Sequence, residues 1–171
     1  WNKNATLFVK EIILVRGPAI ERPNFGKERP ELCNDLPDDA WDVLRTGNFR
    51  YYEGAKTVND NSSSVAELPH KNTWAVQADV PKLPDGSRWQ IYAVIRCKSA
   101  EPYGLAGTVG LHNPKGRNVT KQLLMEQFKN REEYVPVDLG ILEPKSGSYL
   151  FAACAGPKAT LFVKEFILIR K

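Results

Sequence analysis

Side-chain chemistry in this chain is concentrated in few residues: two His, three Cys, four Trp, six Tyr and seven Phe. His70 stands in the loop-like string LPHKN and His112 at a strand end before Asn-Pro. Neither is set up as the positioned base of a Ser-His-Asp triad. Cys33, Cys97 and Cys154 show no CxxC spacing and no nearby His pair, which argues against a structural zinc site. They are expected to be buried, reduced thiols. The adjacent acids Asp38-Asp39 and Glu132-Glu133 would point to opposite faces of a strand, so they do not make a glycosidase dyad. No GxxxxGK[ST], GxGxxG, HExxH or GxSxG string is present.

What remains is a set of aromatic and planar polar side chains. A sugar ring has a CH-rich face that stacks on an aromatic ring. Its hydroxyl edge takes hydrogen bonds from Arg, Lys, Asn, Gln, Asp or Glu. In the stretch 88–98, Tyr92 alternates onto one face with Gln90, Val94, Arg96 and Lys98, while Trp89, Ile91, Ala93, Ile95 and Cys97 form the other. The first set is expected to be a ligand-facing surface and the second core. Tyr51 and Tyr52 must point to opposite faces of a strand, so one is expected to be exposed, and Tyr51 is the candidate. Tyr103 sits in the loop AEPYG, and His112, Asn113 and Lys115 in a turn that would form a rim. Trp74 is a further candidate platform, although its alternation with Val76 and Val80 also suits the core. Arg50, Arg96 and Lys98 would suit an acidic glycan.

Strands must position these groups. The chain has 171 residues and a net charge of +4, from 24 basic and 20 acidic side chains. That balance does not announce nucleic acid. The length suits one domain, and no apolar run approaches the ~18 residues of a membrane helix. Short segments rich in β-branched and aromatic residues recur at 40–45, 48–53, 63–67, 73–81, 88–98, 105–112, 134–139, 148–154 and 159–170. Segment 119–130 has the spacing of a helix or a strand and is read as a strand from its neighbours. Turn chemistry separates them at Thr46-Gly47-Asn48, Pro84-Asp85-Gly86, Asn113-Pro114-Lys115-Gly116 and Lys145-Ser146-Gly147. The expectation is all-β: an antiparallel β-sandwich.

The two ends nearly repeat each other. Residues 5–16 read ATLFVKEIILVR and residues 159–170 read ATLFVKEFILIR. Alternation along the second copy puts Leu161, Val163, Ile167 and Ile169 on one face and Phe162, Phe166 and Leu168 on the other. Pairing of two strands does not require such identity. Residues 1–17 are therefore expected to be the last strand of an upstream tandem copy, and 18–171 the complete module. The chain begins at Trp1 rather than Met, so it is expected to be a piece of a longer protein.

Several strings resemble one family. Asp60 followed by the small-residue run Ser62 to Ala66, Trp74-Ala75-Val76-Gln77, Gln90 to Arg96, Tyr134 to Gly140 and Ala159 to Arg170 together resemble bacterial jelly-roll carbohydrate-binding modules. The resemblance covers about 35–170 and is a pattern of strands, not a signature. It implies a two-sheet jelly roll that binds a polysaccharide without catalysis. It also implies a covalently linked catalytic domain, a secreted or cell-surface location, and in many cases a structural Ca2+. Asp60 and Asp138 are the candidate ligands, though no DxDxDG-like run accompanies them. A structural spacer or protein-interaction sandwich is the alternative. A lyase would need a base and a charge neutraliser, for which Tyr92 with Arg96 and Lys98 is the constellation to test.

Overall fold

The computed structural model describes residues 27–70, 74–128, 132–156 and 158–171. Among these described residues eleven strands run in order: β1 (Trp41–Leu44), β2 (Phe49–Tyr51), β3 (Lys56–Asp60), β4 (Ser63–Leu68), β5 (Val76–Asp79), β6 (Trp89–Ser99), β7 (Leu105–His112), β8 (Val119–Leu124), β9 (Val135–Leu142), β10 (Tyr149–Cys154) and β11 (Ala159–Arg170). Short 3-10 turns occupy Glu31–Cys33, Thr46–Asn48 and Met125–Gln127. The strands form two antiparallel sheets. The first has the order β3-β4-β11-β6-β9, with β1 also paired to β11; the second has the order β2-β5-β10-β7-β8. This is the expected sandwich. Of segment 119–130, residues 119–127 form β8 and a 3-10 turn, and 129–130 lie outside the described residues. Strand β3 escaped the sequence reading because KTVND has one large apolar residue, and as an edge strand it buries little.

The alternation in β6 holds. Trp89, Ile91, Ala93, Ile95 and Cys97 all lie between the sheets, at most 2% exposed. Each large apolar side chain buried there contributes about 1.5–3 kcal/mol. The Trp89 indole N–H is satisfied by Ser87 Oγ at 2.7 Å.

In β11 the alternation breaks. Val163 pairs with Ile95 and Glu165 with the next residue along, Val94, so Lys164 is an extra residue. A bulge of this kind shifts every later side chain to the other face. Leu161 and Val163 therefore share the core with Phe166 and Leu168, whereas Ile167 and Ile169 face outward. The uninterrupted faces read from the sequence are corrected beyond Lys164. The bulge has a tertiary reason. Glu165, 5% exposed, accepts from Arg45 Nε at 2.7 Å. Without the extra residue, this carboxylate would enter the core unpaired.

The outward Ile167 and Ile169 join Cys33, Trp41, Val43 and Val94 in a second apolar cluster on the far side of the first sheet. Segment 27–40 covers it. Arg29 fastens that segment by donating to the carbonyls of Cys33 (2.7 Å) and Leu36 (2.6 Å), and lies over the Trp41 ring. Residues 1–17, expected to be a strand of an upstream copy, lie outside the described residues.

Candidate functional site

The two outer faces differ in what they leave open. On the first sheet, the β6 face expected to meet a ligand is mostly covered. Arg96 is 4% exposed and Gln90 is 9% exposed, and half-buried Tyr92 packs on the second apolar cluster. Of the four β6 candidates, only Lys98 is open to solvent. Arg96 Nη2 lies 2.8 Å from Asp60 Oδ2, and Arg96 Nη1 lies 3.5 Å from Glu132 Oε2. Its guanidinium sits over Phe162 at 4.3 Å and Tyr134 at 5.7 Å. Tyr134 Oη donates to the same Asp60 oxygen at 2.5 Å. Burial and the Asp60 carboxylate push the Tyr134 hydroxyl well above the usual phenol range. Burial, with the Asp138 charge, also raises Tyr92. Of the constellation considered for a lyase, Tyr92 is half-buried and Arg96 is already paired with carboxylates.

The metal candidates are held separately. Asp60 carries Arg96 and Tyr134. Asp138 Oδ1 accepts from the Gln90 amide and from the Gly140 N–H, the latter at 2.6 Å. N–H and O–H donors, one of them a guanidinium, occupy the named oxygens, so this pair does not fit a shared Ca2+. Among the described residues, no three His, Cys, Asp or Glu side chains converge.

A groove of about 800 Å3 opens on the same side, between segment 28–32, Ser62 to Ser64 and β11. The Arg45–Glu165 pair lines it, and Glu28 lies 3.9 Å from Arg45. Among the described residues its one aromatic, Tyr134, already donates to Asp60.

The second sheet presents a different surface. Its outward residues fall in cross-strand ladders: Asp79, Tyr149 and His112 in one, Arg50, Gln77, Phe151, Gly110 and Thr120 in the next. An aromatic track follows β10. Trp74, 46% exposed, packs its ring on Phe151 at 5.8 Å. Two residues along, Tyr149 stacks with His112 at 4.8 Å and 30°. Gly110 makes room for the track. A Cβ there would meet Phe151 Cζ at 2.7 Å and Val119 O at 2.1 Å, so the Phe151 ring lies across β7 only because that residue is glycine. Polar side chains flank the track. Arg50 Nη2 donates to Asp79 Oδ1 at 2.7 Å, and Gln77, Thr120 and Gln122 remain partly or fully exposed. Tyr52, 43% exposed, shares the outward side with Arg50 by alternation.

The structure thus brings Trp74 and His112 together on one face, through two residues the sequence reading did not select, Phe151 and Tyr149. Their signal was available: both lie at alternate positions of a strand and face outward. Tyr51 is corrected to an inward position. It packs on the core, its hydroxyl donating to Thr46 O at 3.2 Å and accepting from Thr57 Oγ1 at 2.8 Å. Tyr103 is 73% exposed but belongs to the loop before β7, at the opposite end of that strand from His112. It stands at a pocket of about 280 Å3. Asn113 is not a rim residue. It is 4% exposed, its amide donating to Glu143 O and its oxygen accepting from Ser148 Oγ.

No family model and no curated protein matches the sequence. Among solved structures, the C-terminal CBM6 of LamC, a marine laminarinase from Zobellia galactanivorans, matches with a TM-score of 0.54 at 8% identity, over 75% of this chain and 98% of that one. The mosquito-larvicidal Cry4Aa toxin from Bacillus thuringiensis matches with a TM-score of 0.54 at 8% identity, over 77% of this chain and 23% of the toxin. TmCBM61, solved with β-1,4-galactotriose, gives a TM-score of 0.46 at 14% identity, over 89% of this chain and 97% of that one. The likeness is one of fold. This chain has the jelly-roll sandwich found in carbohydrate-binding modules. Among its described residues, no helix is long and apolar enough to cross a membrane.

Proposed function

We propose that this is a non-catalytic carbohydrate-binding module of an extracellular protein, and that it takes a polysaccharide on the outer face of the second sheet. One observation carries this: Trp74 stays 46% exposed while its ring packs at a tilt on Phe151, on the same face as Tyr149 and His112. A rigid, half-open aromatic surface beside Arg50, Gln77 and Asp79 offers both halves of sugar recognition, a stacking face and directional hydrogen bonds. The fold shared with the CBM6 of LamC supports the class. Its role would be to hold a linked polysaccharide-active enzyme on its polymer.

The charges favour a neutral glycan over an acidic one. Of the three cations that suggested an acidic ligand, Arg50 is paired with Asp79 and Arg96 is buried against Asp60. Lys98 lies on the other sheet. The test is affinity electrophoresis against neutral, uronic and sulfated polysaccharides. Retardation by a neutral polymer, abolished in Trp74→Ala, is the expected result. Retardation only by acidic polymers would refute the neutral assignment, and none on a broad panel would favour the spacer reading.

A further inference from the structure

The strongest unused feature is the repeat of β11 at residues 5–16. Ten of twelve positions are identical, and the mapping is 154 residues apart. Shared apolar residues alone would say little, because any buried strand favours them. The Lys-Glu pair says more. In β11 the pair has a specific physical cause. Lys164 is the bulged residue, and Glu165 is delivered by that bulge to a buried ion pair with Arg45 on β1. Lys10-Glu11 repeats it in the same place, between Val9 and an apolar run. A charged pair in the middle of such a strand is costly in any setting that lacks both the bulge and the arginine.

The other identities fall on the contacts that hold β11 in its slot. Leu161, Val163 and Leu168 face the core, and Phe162 carries the Arg96 guanidinium. Their counterparts Leu7, Val9, Leu14 and Phe8 are unchanged. The two differences, Ile12 for Phe166 and Val15 for Ile169, shorten apolar side chains without adding a polar atom. The connection is also long enough. Arg16 is separated from Lys27 by ten residues, up to ~33 Å or more of chain. Lys27 is anchored on Asp42, which pairs with Leu168 near the end of the slot.

We propose that the β11 slot, bounded by β4 and β1 on one side and β6 on the other, is a docking site for residues 5–16. The segment and β11 are interchangeable occupants of one position in this fold, so copies of the module can join by strand exchange. The native β11 is the better occupant, because Phe166 meets Phe49 ring to ring at 5.7 Å and isoleucine cannot.

The test disables β11 in the full chain with Leu161→Asp and Leu168→Asp, both at fully buried positions. The expected result is a cooperative melt with a Tm lowered by roughly 5–12 °C, the effect of two smaller apolar side chains in a domain of this size. Adding Leu7→Asp and Leu14→Asp should abolish folding. Sedimentation then separates filling within one chain from filling between two: either supports the slot as the docking site for residues 5–16, and filling within one chain only overturns the exchange between copies. Two results overturn the docking site. One is a folded protein when both segments are disabled. The other is an unfolded β11-disabled chain that stays unfolded after Ile12→Phe and Val15→Ile make the two segments identical. Recovery on those two changes supports it.

Discussion

Replacing Trp74 with alanine separates binding from stability more sharply than any other change. A Trp side chain offers up to about 250 Å2 of surface. With Trp74 46% exposed, about 115 Å2 of that is open to a ligand. A pyranose ring covering about half of it buries ~60 Å2, worth ~1.5 kcal/mol at ~25 cal/mol per Å2. Stacking geometry adds about 0.5–1.5 kcal/mol. Together these make about 2–3 kcal/mol, and since ~1.4 kcal/mol is a factor of ten, Trp74→Ala should weaken binding roughly 30- to 140-fold. The fold should barely register the change. The ring packs on Phe151 at 5.8 Å, on the outside of the sheet. Losing that contact costs about 1 kcal/mol, a fall in Tm of ~2–4 °C for a chain of this size. Affinity electrophoresis, or calorimetry once a polymer is found, gives the first quantity and a circular-dichroism melt the second. Trp74→Phe should fall between alanine and the native protein. A Trp74→Ala protein that melts normally and binds within twofold of native would refute the aromatic track as the binding surface.

Other outcomes follow from the opposite face. Asp60→Asn leaves the buried Arg96 short of its closest carboxylate and should cost about 3 kcal/mol, lowering Tm by ~6–12 °C, with glycan affinity unchanged; an unaltered melt would show that the ion pair is dispensable. Because Asp60 Oδ2 and Asp138 Oδ1 already accept from protein donors, millimolar Ca2+ or a chelator should leave Tm where it is; a calcium-dependent rise would reveal a site built from other oxygens. The thiols should be silent. Burial pushes Cys33 up to about 11, and Cys97 and Cys154 are buried as well. A thiol reagent at pH 8 should therefore label none of the three until denaturant is added, since the thiolate is the reacting form. Rapid labelling of the native protein would place at least one cysteine at the surface.

Much of the sandwich was legible because its signals are local. The inward set of β6 and the turns at Gly47, Gly86, Gly116 and Gly147 report strand alternation and chain reversal within a few residues. Legibility failed wherever a distant partner decides. The faces of β11 swap after Lys164 because Arg45, 120 residues away in sequence, captures Glu165. Tyr51 and Tyr52 are equivalent in sequence, and only the pairing of β2 with β5 says which one turns outward. Phe151 looked like one more strand aromatic until Gly110 was found beneath it and Trp74 against it.

The amino-acid sequence by itself determined an antiparallel sandwich with two-faced strands and an aromatic supply large enough for a sugar platform. It also placed Trp74 and His112 among the residues worth testing. It did not determine which sheet face stays open. The polar-aromatic side of β6 reads as a surface, yet segment 27–40 and the turn around Asp60 to Ser64 cover it, and Arg96 ends up buried. Exposure depends on what the rest of the chain lays across a face, and alternation within one strand carries no information about that. Only the tertiary structure moved the candidate site from the first sheet to the second.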